Sequence, residues 1–150
     1  MLKVRAAAPA DLPVIYELIG ELADYERLRS QMVGKIDDLR RHLFEEPRFA
    51  HVLIAEWEGI AAGFALYFLN YSTFLCRPGL YLEDLFVRPV HRGRGLGLAL
   101  LEELERRARE LNCGRFEWSV LDWNKPAIEF YRRFGANPMD EWTLFRKDLL

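Results

Sequence analysis

Two short stretches of this chain carry residues whose types and spacing suit chemistry rather than packing. The first is "RGRGLG", Arg92 to Gly97, in which Gly93, Gly95 and Gly97 alternate with Arg92, Arg94 and Leu96. Backbone without Cβ atoms lets N–H groups approach a ligand closely. At the start of a helix those N–H groups lack intrahelical partners and lie at the positive end of the dipole. Arg92 and Arg94 add charge that a turn built only for tightness does not require, so the pattern suits a phosphate or pyrophosphate. It is not a dinucleotide fingerprint, because Leu98 and Leu100 stand where a further glycine is needed, and it is not a P-loop, because no lysine is present. The second stretch is Glu83-Asp84 inside the apolar run "LYLEDLFV". Strands disfavour carboxylates, and burying one unpaired is costly. Strict alternation sends the pair to opposite faces, so at most one joins Tyr81 and Leu85 unless a bulge turns the chain.

These groups need a strand before the glycines and a helix after them, and the hydrophobic pattern predicts both. "GLYLEDLFVRP" is an apolar run of strand length ended by Pro89, and "GLALLEELERRARELNC" places leucines at helical spacing. Upstream, "LKVRAA" alternates like a strand, Leu12, Ile15, Leu18, Ile19 and Leu22 fit a helix behind Asp11 and Pro13, and "KIDDLRRHLFEE" fits a second, shorter helix. "AHVLIAEWEGIAAGFALYFLNY" reads as two strands joined at Glu58-Gly59. Downstream, the pattern predicts a strand in "GRFEWSVLDWN", a helix in "KPAIEFYRRFGA" stopped at Gly135, and a closing strand in "EWTLFRKDL". The order predicts one α/β (α+β) domain over residues 1–150, with a mostly antiparallel sheet, flanking helices and a βαβ unit in its second half.

Composition narrows the partners. With 21 basic and 23 acidic residues the formal charge is −2, which gives no general affinity for nucleic acid or an anionic membrane. No apolar run reaches the roughly 18–20 residues of a membrane span, and the N-terminus lacks a signal-peptide core. Cys76 and Cys113 form no C-x-x-C, and His42, His51 and His91 show no metal-ligand spacing, so no metal is expected and the setting is read as cytoplasmic.

R-G-R-G-L-G after a strand ending in "LEDLFVRP" resembles the R/Q-x-x-G-x-G/A acetyl-coenzyme A signature of the GNAT N-acetyltransferase superfamily, with Arg92, Gly95 and Gly97 at its fixed positions. "DWNKPAIEFYRRFGA" resembles the second signature of that superfamily. Together with "LADYE" and "LYLEDLFV", it is similar to the diamine (spermidine/spermine) and thialysine N-acetyltransferase branch over nearly the whole chain.

The resemblance implies a GNAT-like fold whose central strands splay, and acetyl-CoA as co-substrate. Amides of Arg92, Gly93, Arg94, Gly95, Leu96 and Gly97 would hold the pyrophosphate, and main-chain groups of Leu85, Phe86 and Val87 would pair with the pantetheine as an added strand does. It places the catalytic carboxylate at Glu83, taking the acceptor's proton directly or through water. Tyr131, which taken alone reads as an aromatic core residue, becomes the general acid for the departing thiolate. Asn124, before Lys125-Pro126, is a natural helix cap, and the resemblance adds a contact to coenzyme A. Tyr25 and Glu26 would lie beside the amine with Asp84. Arg77, standing in a loop where the polyamine enzymes are acidic, points to a zwitterionic, thialysine-like acceptor. The resembling branch implies a homodimer, for which the bulky tail "EWTLFRKDLL" gives a sequence hint. Acetylation of a protein lysine or N-terminus, and a coenzyme A-binding module without catalysis, are the alternative readings.

Overall fold

The computed structural model describes residues 1–150. They form two units, residues 1–119 and 120–150.

The first unit is built on a sheet of five strands in the order β1-β2-β3-β4-β5. The strands are β1 (Leu2–Ala6), β2 (His51–Trp57), β3 (Ile60–Ser72), β4 (Arg77–Val87) and β5 (Arg115–Trp118). The first three junctions are antiparallel, whereas β4 and β5 are parallel and joined by the crossover helix α3 (Leu96–Glu110). The β2–β3 turn has Glu58 at φ 50° and Gly59 at φ 78°, the two positive values that a type I′ hairpin turn requires.

Val52, Leu53, Ile54 and Ala55 are all buried, so β2 is covered on both faces. One cover is helix α1 (Leu12–Tyr25) with helix α2 (Ile36–Phe44), where Ile15, Leu18, Leu22 and Leu43 pack with Val52, Ile54, Phe64 and Phe86. The other is α3, whose Leu96, Leu100, Leu101, Leu104 and Ala108 share one face and are buried. Each fully buried leucine contributes about 1.5–3 kcal/mol by leaving water, which fixes the sheet between its helices.

The second unit contains helix α4 (Lys125–Arg133), begun by Asn124, whose Oδ1 accepts from the Ala127 N–H at 3.4 Å, and followed by Gly135 at φ 99°. The closing strand expected in "EWTLFRKDL" is absent. Residues 141–149 have no ladder, and Trp142, Leu144, Phe145 and Leu149 are exposed. Alternation alone does not make a strand, since its N–H and C=O groups need ladder partners, and residues 141–149 have none.

Candidate active site

Strand β4 changes character at residue 83. From Gly79 to Leu82 it pairs on both sides, with β3 and with Arg115 to Trp118 of β5. Beyond Leu82 only the β3 ladder continues, through Asp84, Leu85, Phe86 and Val87 opposite Leu66, Ala65, Phe64 and Gly63. The backbone groups of this half that point away from β3 have no strand to meet and form an open edge that an extended amide chain can extend. Gly63 is required here, because a Cβ on it would lie 2.6 Å from the Phe86 carbonyl oxygen.

Glu83 is the point of change. Tyr67 pairs with Leu82 and Leu66 with Asp84, which leaves Glu83 as the extra residue of a β-bulge. The bulge explains two adjacent carboxylates in an apolar strand: Glu83 is turned out to solvent while Asp84 is largely buried. Burial, reinforced by the charges of Glu83 and Glu26, pushes the Asp84 carboxyl up to about 7. Glu26, at the C-terminal cap of α1, is raised by its own burial and then by Glu83. Glu26, Glu83 and Asp84 thus raise one another's proton affinity, an arrangement that favours an incoming positive charge.

Aromatic rings border this cluster. Tyr25 and Phe86 lie 6.4 Å apart between centroids, and the Arg92 guanidinium sits 4.9 Å from the Tyr25 centroid and 5.6 Å from that of Phe86. Arg92 Nε also donates to the Val87 carbonyl at 2.9 Å, tying the first residue of the glycine loop to the end of the open edge.

The glycine loop itself is a cradle. Gly93 (φ 78°) and Gly95 (φ 83°) are left-handed, and a Cβ on either would point into open space, so these two positions are held by conformation and not by crowding. Gly95 is the N-cap of α3, and its carbonyl accepts from Ala99 at 3.0 Å. The N–H groups of Gly93, Arg94 and Gly95 make no backbone hydrogen bond, and those of Leu96, Gly97 and Leu98 are first-turn donors without intrahelical acceptors. Arg94 flanks the loop over the Trp57 ring at 4.9 Å. This donor set fits the pyrophosphate of coenzyme A.

One brace was missed from the sequence. Arg88 donates to both Glu21 carboxylate oxygens at 2.8–3.2 Å, to Glu17 at 2.7 Å and to the Ala61 carbonyl at 3.2 Å, fixing α1 to the end of β4. Glu17 and Glu21, one turn apart on α1 with no basic residue at helical spacing, were the available signal.

The structure brings together Tyr25, Glu26, Glu83, Asp84, Phe86 and Arg92. It does not bring Arg77 to them. Arg77 opens β4 opposite Ser72, six residues before Glu83 and about 20 Å away along the strand, farther than a lysine side chain spans. Asp24 pairs with Arg29 at 3.2 Å in solvent. Asn124 and Tyr131 belong to the second unit, Asn124 as a buried cap and Tyr131 on α4. No group of three His, Cys, Asp or Glu residues is placed to hold a metal ion.

The chain matches known proteins over most of its length. Residues 15–136 match the acetyltransferase (GNAT) family. The chain is 36% identical to thialysine N-epsilon-acetyltransferase of Sus scrofa, over 95% of this chain and 90% of that protein. It is 31% identical to L-ornithine N5-acetyltransferase of Arabidopsis thaliana, over 96% of this chain and 83% of the relative. Among solved structures, an integron cassette protein from the mobile metagenome of V. cholerae superposes with a TM-score of 0.80 at 27% identity, covering 98% of this chain and 92% of the other. The chain thus belongs to the GNAT family and is an acetyl-CoA-dependent N-acetyltransferase.

Proposed function

We propose that this enzyme acetylates the side-chain amine of a small lysine-like amino acid, of the kind represented by thialysine and ornithine, in preference to a polyamine or a protein. The observation that carries this reading is the acidic cluster of Glu26, Glu83 and Asp84 beside the open half of β4. Tyr25 adds an aromatic face for the ammonium, and the names of two relatives identify amino-acid acceptors with a terminal amine.

Bound acetyl-CoA supplies the acetyl group as a thioester. The main chain of Leu85 to Val87 extends along the pantetheine, and the amides of residues 92–97 hold the pyrophosphate. Asn124 adds a polar contact to the same molecule. Glu83 removes the ammonium proton, directly or through water, freeing the nitrogen lone pair to form the C–N bond as the C–S bond breaks. Tyr131 gives its hydroxyl proton to the departing sulfur, and the second proton, which the nitrogen loses as the amide forms, returns to the phenolate. An alkylammonium has a pKa of about 10.4. Asp84, at about 7, lies much nearer to it than an ordinary carboxyl and so gives the cluster a closer match for the proton.

The family match crosses the boundary between residues 119 and 120, which supports reading residues 1–150 as a single catalytic domain. The exposed apolar residues of the tail support a homodimer, and free Cys76 and Cys113 support a cytoplasmic setting. No helix is long and apolar enough to cross a membrane.

The test is kcat/KM for thialysine, ornithine, lysine, spermidine, a short diamine and an N-terminal peptide. Amino acids with a terminal side-chain amine should lead, and a clear preference for spermidine or the peptide would contradict the reading.

A further inference from the structure

A second basic site lies away from the glycine loop. A cavity of about 150 Å³ opens among the end of β1, the C-terminal end of α2, the start of β2 and the last turns of α3. Its polar lining is Arg48, His51, Tyr67 and Arg107, with Leu43 and Phe44 as apolar wall, and no carboxylate lines it. Arg107 stands eleven residues after Leu96 on α3, so this end of the helix is about 16 Å along the axis from the pyrophosphate cradle.

The side chains are held with donors to spare. Arg48 Nε is anchored on the Leu43 carbonyl at 2.7 Å, while its terminal nitrogens meet no carboxylate. Arg107 uses Nε on Glu103 at 3.0 Å, and its Nη1 lies 3.4 Å from the Tyr67 hydroxyl. His51 stacks on Tyr67 with centroids 5.3 Å apart. Two guanidinium groups beside one imidazole repel. Burial first, then Arg48 and Arg107, hold the His51 pKa below its usual value, and only Glu46 opposes them. An anion reverses this balance by pairing with both arginines and making the imidazolium favourable. The space is well above the roughly 10–15 Å³ that one water needs, so a tetrahedral ion fits.

We propose that this cavity binds a compact tetrahedral oxyanion, a phosphate or sulfate group, held between the Arg48 and Arg107 forks with His51 as a third donor. The site is independent of the acetyl-transfer reaction and uses none of its residues.

The test follows the His51 ring resonances while the coenzyme A-saturated enzyme is titrated with inorganic phosphate, sulfate, glycerol phosphate or chloride at constant ionic strength. Saturation with coenzyme A keeps the pyrophosphate cradle filled, and His42 and His91 serve as internal references. Phosphate and sulfate should give a saturable change at His51 and raise its pKa. Glycerol phosphate binding as well would show that a phosphate ester is accepted, whereas exclusion of the ester would limit the site to the free ion. Arg48→Ala should weaken the response about tenfold or more, and Arg48→Lys, which keeps the charge without the fork, should lie between. Neither variant should alter acetyl transfer. A chloride response equal to that of phosphate, or an undiminished response in folded Arg48→Ala, would overturn the assignment.

Discussion

The two halves of β4 are continuous in chain and opposite in use. Residues 79–82 have a strand on each side and contribute Leu80 and Leu82 to the core, whereas residues 84–87 have a strand on one side only, and the bulge at Glu83 separates the two. A strand paired twice is scaffold. The same strand paired once leaves an edge open to a ligand, and the interruption gives a carboxylate an outward place that regular alternation would deny it.

If this division is right, substitutions a few residues apart should fail in different ways. The largest effects fall on catalysis. Glu83→Gln should lower kcat by about 10²–10⁴ with little loss of stability, and Tyr131→Phe should do so over the same range with coenzyme A binding retained. Steady-state kinetics beside thermal melts would separate these from unfolding. Leu80→Ala, on the scaffold side, should instead cost about 2–5 kcal/mol of stability in a denaturant titration while the folded enzyme keeps its kcat.

Gly95→Asp attacks the anchor of the open half. It places a side chain on a left-handed backbone and a negative charge where phosphate oxygens belong, so the rise in Tm given by acetyl-CoA should vanish.

Asp84→Asn gives a smaller, pH-dependent effect. Because the Asp84 pKa is raised in the folded state, its contribution to stability is fully present below the ordinary carboxyl value near 3.8 and is lost as pH rises through about 7. The ionised group is then a liability, and Asp84→Asn should raise Tm more at pH 8 than at pH 5. The smallest effect is expected of Arg77→Ala, which should leave the ranking of acceptors unchanged because Arg77 lies at the far end of β4.

Much of this was legible in the sequence because local chemistry carries it. The glycines at 93 and 95 mark left-handed backbone at a helix start, Asn124 marks a cap, and leucine spacing gives α3 its buried face. The Glu83-Asp84 pair showed that something had to break the alternation, but the bulge itself depends on the register of Leu66 and Tyr67, residues 16 or more positions away in sequence. The closing strand failed because its alternating pattern lacks a ladder partner. The Arg48–Arg107 cavity was invisible, since its residues come from three strands, two helices and the loops between them, which only the fold assembles.

Amide hydrogen exchange with and without coenzyme A tests the central claim most directly. The open half of β4 and the glycine loop should gain protection together, at the amides among Leu85 to Val87 that point away from β3 and at those from Gly93 to Leu98. The amides of Gly79 to Leu82, already paired on both sides, should change little. Coenzyme A binding without protection at either the edge or the loop would contradict the account.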